Sequence, residues 1–150
     1  MIEFTVPLPP RALNPQGTGV QQRWQFSYAK AYRETIMIEG RNALADDQWR
    51  WRCVDDGSVL YRVSLFAGRG VCGHAGGDKL LPDKKRCYRP LDVTNLVSAF
   101  KHGFDGLKDA GIIPDDNYRV MELGEVRIID DAPGVVRVRI EAHDAAGIPT

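Results

Sequence analysis

Alternation opens the chain. Ile2, Phe4 and Val6 are separated by Glu3 and Thr5, a period of two that predicts a half-buried strand stopped by Pro7, Pro9 and Pro10. RALNPQGTGVQQRWQ follows, and its Asn-Pro and Gly-Thr-Gly are turn chemistry that predicts a loop. Ser27 then reads as the N-cap of a helix reaching about Leu44, with Tyr28, Ala31, Tyr32, Ile36 and Ile38 as its apolar positions. Asp46 to Gly57 is a polar connection. VLYRVSLFA predicts a second strand, with Leu60, Arg62, Ser64 and Phe66 on one side and Tyr61, Val63 and Leu65 on the other.

From Gly68 to Arg89 no period is visible, and loops this long inside a domain are often functional. Periodicity returns with Leu96, Ala99, Phe100, Phe104 and Leu107, whose spacings of three and four predict a helix over Val93–Asp109 with one apolar stripe. Thr94, Ser98, Lys101, Asp105 and Lys108 fall on its polar side. Gly111 stands where a helix end wants a left-handed residue, and Pro114 is a stop. YRVMELGEVRII and GVVRVRIEA read as strands joined by the turn signal DDAPG. In the last strand Val135, Arg137 and Arg139 oppose Val136, Val138 and Ile140; alternating arginines suggest a solvated edge strand or a second basic surface. HDAAGIPT is expected to fray. This order predicts an α+β fold, a small mixed β-sheet with two main helices packed on one face, in a single domain spanning residues 1–150.

Composition narrows the function. Apolar residues make up 43% and charged residues 27% of 150, ordinary for a globular domain. No apolar run approaches the ~18 residues that span a bilayer. The N-terminus lacks the basic-then-apolar order of a signal peptide, so the expected location is the cytoplasm and no membrane partner is expected. Basic and acidic residues balance at 20 each, which disfavours a protein that coats nucleic acid, though not one with a local basic surface. DKLLPDKKRCYR supplies such a surface through Lys79, Lys84, Lys85, Arg86 and Arg89, unless it is simply a solvated loop. The three cysteines, Cys53, Cys72 and Cys87, read as reduced thiols. Cys72, His74 and Cys87 amount to three zinc ligands where a structural site wants four. An adaptor organised around that loop is the weakest of the functional readings.

The chemistry-bearing candidates bracket the second helix. Asp92 precedes its first turn, where unpaired backbone N–H groups and the helix dipole favour a carboxylate. Asp115 and Asp116 lie just beyond its end. Capping and turn formation account for all three. A second reading makes them one site: clustered carboxylates hold Mg²⁺, and a lysine neutralises charge developing on phosphorus. Lys101 follows Thr94 by seven residues, two helical turns, and its side chain leans back toward Asp92.

Asp92 to Asp116, written D-x-x-N-L-x-x-x-x-K-x-x-x-D-G-L-x-D-A-G-x-x-P-D-D, resembles the signature of the RusA family of Holliday junction resolvases, most closely its phage-type branch. VPLPPRALNPQ resembles the family's proline-rich N-terminal strand and loop, ending near Asn14, and AKAYRETI resembles the start of its first helix. The resemblance implies a RusA-like fold and a homodimeric, Mg²⁺-dependent endonuclease that cuts four-way DNA junctions by paired nicks in recombination and repair. The setting would be a bacterial or phage-infected host cytoplasm, with no nucleotide cofactor. It further implies that Asp92, Asp115 and Asp116 hold the metal, with Lys101 as the catalytic lysine. Asn95 supports Asp92, and Asn14, Lys84, Lys85, Arg86 and Arg89 face DNA. Thr94 stands where many members carry a second aspartate. A neutral ligand there weakens one metal-binding arm, and the alternative is a non-catalytic junction-binding protein with a degenerate metal site.

Overall fold

A computed structural model describes residues 1–9, 19–47, 57–68, 93–129 and 134–144. The elements run β1 (Ile2–Pro7), α1 (Gly19–Asp47), β2 (Val59–Gly68), α2 (Val93–Ala99), α3 (Lys101–Asp109), β3 (Met121–Ile129) and β4 (Val135–Asp144). The strands form one sheet in the order β1-β4-β2-β3. β4 is antiparallel to both β1 and β2, whereas β2 and β3 are parallel. The architecture is thus α+β with a small mixed sheet. No helix among the described residues is long and apolar enough to cross a membrane.

Alternation places the core. Ile2, Phe4 and Val6 sit beside Ile140, Val138 and Val136 in register, and these pair onward with Val63, Leu65 and Ala67 of β2. That face meets Tyr32 and Ile36 of α1, Leu96 and Ala99 of α2, and Phe104 and Leu107 of α3 in one apolar cluster. Phe100, between α2 and α3, is fully buried and meets Tyr32 and Phe104 edge-on, with centroids 6.0 and 5.1 Å apart. The Tyr32 hydroxyl, sealed in by this packing, donates to the Pro7 carbonyl at 2.8 Å and ties α1 to the end of β1; burial pushes its pKa far up.

Several expectations need correction. α1 begins at Gly19, so Ser27 lies inside it as an exposed residue and caps nothing. VQQRWQF contains no breaker, and Gln and Arg are good helix formers, so the helix extends back to the glycines. Its buried face is centred on Tyr32, Ile36 and Gly40, leaving Tyr28 and Ile38 exposed. The helix expected over Val93–Asp109 divides at Phe100. Residues 118–120 are turn, and the third strand starts at Met121. β4 continues through His143 and Asp144, which pair with Leu60 and Val59. It is an interior strand, and Arg137 and Arg139 are engaged there: Glu3 lies 3.8 and 2.9 Å from them, and Arg139 stacks over the Phe66 ring at 4.8 Å.

Candidate metal-binding acid turn

α3 ends in a backbone lock. Gly111 takes φ +77°, its N–H bonds the Lys108 carbonyl at 3.0 Å, and the Ile112 N–H bonds the Leu107 carbonyl at 3.1 Å. These two bonds are a Schellman motif, and the positive φ is why glycine stands there. Ile112 and Ile113 follow with essentially no exposure. The chain is anchored immediately before it turns outward through Pro114 to Asp115 and Asp116.

The turn itself is tied by side chains. Asp115 accepts from the Asp116 N–H at 2.8 Å and from the Asn117 amide at 2.6 Å. The Asn117 side-chain oxygen accepts from the Arg119 N–H at 3.0 Å, and its carbonyl accepts from Val120 and Met121. Val120 is buried and its carbonyl accepts from the Tyr61 N–H at 2.8 Å. Thus the turn is fixed to the core by isoleucines on one side and by β2 on the other. The Asn117 amide, the Asp116 N–H and the nearby Lys108 hold the Asp115 carboxyl below the usual carboxylate range.

Lys108 sits in the last turn of α3, where the helix dipole favours a cation. Its ammonium lies 3.0 Å from Asp105, 3.3 Å from Asp116 and 3.7 Å from Asp115. Those carboxylates, Asp105 first and then Asp116, raise its pKa against a smaller opposing effect of burial. Asp105 and Lys108 fall on the polar face of the expected helix, a position that by itself assigns neither a role. The available signal was their spacing of three residues together with the helix-end position of the lysine.

Lys101 is exposed at the start of α3 and makes no ion pair among the described residues. Thr94 is exposed in the first turn of α2 and is not without a partner; Asn95 lies in the same turn. Asp92, Asn14, Lys84, Lys85, Arg86 and Arg89 lie outside the described residues, as do Cys53, Cys72, His74 and Cys87. The structure therefore brings Asp115 and Asp116 together and joins to them Asp105, Asn117 and Lys108.

The donors suit a hard cation. Asp115 and Asp116 offer partly exposed carboxylate oxygens, and Mg²⁺ is commonly held by one or two carboxylates while keeping several waters. Among the described residues no three acidic, histidine or cysteine side chains are grouped to hold an ion. Comparisons with protein-family models and with curated proteins returned no match.

Proposed function

We propose that this chain is a Mg²⁺-dependent endonuclease that resolves four-way DNA junctions as a homodimer in a bacterial or phage-infected host cytoplasm. The observation that carries the reading is the anchored turn presenting Asp115 and Asp116 side by side, within the block that resembles the RusA signature.

In this reading Asp115 and Asp116, joined by Asp92, hold the cation. When bound, the ion supplies Lewis-acid charge against the scissile phosphate. The protein's contribution is preorganisation. A turn locked by the Schellman motif and by Asn117 needs little rearrangement to present its oxygens. Lys101, exposed and without an ion-pair partner among the described residues, is available to meet the departing oxygen. The basic segment Lys84–Arg89 and Asn14 would contact phosphates alongside.

The test is cleavage of a labelled synthetic four-way junction with and without Mg²⁺. Asp116→Asn and Asp92→Asn are expected to lose about 100-fold or more in rate, since several kcal/mol of charge stabilisation is at stake, while still binding the junction. Wild-type cleavage by Asp116→Asn overturns the reading. Thr94 motivates the second reading, a junction-binding protein without catalysis. Absence of Mg²⁺-dependent nicking in the wild type, with nicking appearing in Thr94→Asp, favours it.

A further inference from the structure

Lys108 is placed unlike an ordinary surface lysine. One ammonium with three donors faces three carboxylates drawn from two elements: Asp105 one turn back on its own helix, and Asp115 and Asp116 on the turn beyond. Its side chain is only 27% exposed. Two adjacent carboxylates fixed on a rigid turn repel each other unless a cation sits between them and solvent, and here that cation belongs to the protein.

We propose that Lys108 is the resident counter-ion of the acid turn, an ammonium that holds Asp115 and Asp116 in the metal-free protein and withdraws toward Asp105 when a divalent ion takes its place. The inference rests on reading Asp115 and Asp116 as metal-holding residues and deepens it. Asp105 matters because it gives the displaced ammonium a partner that does not depend on the turn: at 3.0 Å the Asp105–Lys108 pair is already the shortest of the three. Lys108 is thus a positioning residue that sets how much metal the site requires.

The experiment is Mn²⁺ titration of the isolated protein, followed by the electron paramagnetic resonance of free ion, with no DNA present. Lys108→Met is expected to bind Mn²⁺ about five- to tenfold more tightly than wild type, the effect of removing one competing charge from a partly screened site. Lys108→Arg should stay near the wild-type value, and Lys108→Gln provides a second neutral variant if the methionine protein folds poorly. Asp105→Asn should weaken Mn²⁺ binding in the wild-type background and have no effect in Lys108→Met, because its influence runs through the lysine. Equal or weaker binding by both neutral variants overturns the proposal and leaves the metal reading standing. So does an Asp105→Asn effect that persists without the lysine. If neither wild type nor Lys108→Met binds Mn²⁺ at millimolar concentrations, the metal reading fails and the proposal falls with it.

Discussion

Gly106 leaves room for nothing larger than hydrogen where α3 crosses α1. A Cβ built there would lie 2.7 Å from the Arg33 carbonyl oxygen and 2.7 Å from Ile36 Cβ. Alanine in a helix interior ordinarily gains up to about 1 kcal/mol over glycine, but overpacking against backbone costs about 1–3 kcal/mol. Sterics should win, and urea denaturation of Gly106→Ala is expected to show a loss of about 1–2 kcal/mol. Beside it, Arg33 grips Asp109 through two bonds of 2.5 and 2.8 Å. The Arg33 hydrogen bond holds the Asp109 carboxyl below its ordinary value against the opposing effect of burial. A depressed folded-state pKa stabilises above the unfolded value and ceases to do so as pH falls through the folded value. Arg33→Met should therefore lose stability at neutral pH, by less than about 1 kcal/mol because the pair is substantially exposed, and the difference should shrink in strong acid. Neither interaction was legible from the residues alone. Arg33 and Asp109 lie 76 positions apart, and only the packing of α1 on α3 introduces them. By contrast, Gly111 was legible, because a helix end states its own requirement locally.

At the level of elements, the division of the second helix has a concrete cause. Phe100 takes φ −78° and ψ 1°, and it offers no side-chain cap to α3. Its ring lies over Gly103, where a Cβ would come within 2.6 Å of ring carbons. The apolar stripe survives the division, since Leu96, Ala99, Phe100, Phe104 and Leu107 are all buried, and that is why periodicity found the stripe but not the break. Gly103→Ala is expected to push the ring from the core and cost about 1–3 kcal/mol, read as a lowered urea midpoint. A second irregularity lies in the sheet. Between Val63 and Leu65 stands one residue of β2, opposite two of β3 between Leu123 and Val126. Buried Ser64 answers this bulge by accepting from the Glu125 N–H at 3.1 Å, and Gly124 leaves room for its hydroxyl. Ser64→Ala strands that donor and should cost about 1–2 kcal/mol. Alternation separates the two faces of a strand but carries no strand order, which is why an interior strand bearing Arg137 and Arg139 reads as an edge.

For the whole molecule, zero formal net charge means that the proposed attraction to DNA would have to come from local surfaces. If Lys84, Lys85, Arg86 and Arg89 neutralise phosphates, their joint replacement by alanine should flatten the dependence of log affinity on log salt. The slope is expected to change by about 0.9 for each phosphate left without its cation, measured by junction binding across a salt series. If the proposed homodimer acts on both strands in one encounter, it should convert a cruciform plasmid to linear product with little nicked circle, and accumulation of nicked circle would argue for independent single cuts. The α+β class and the acid pair were legible because each is written in contiguous residues. The convergence of Asp105 and Lys108 on that pair was not, because it requires the chain to fold back beyond α3. Sheet order carries one more consequence. Among the described residues the first strand has β4 as its only strand partner, and β4 itself lies between β1 and β2. On the ribosome, therefore, a nascent chain that has already produced the acid turn still holds β1 without its neighbour, and the sheet closes only after β4 leaves the exit tunnel. Translation stalled before Val135 would release a fragment with unsatisfied β1 and β2 margins, a natural substrate for chaperones or proteases.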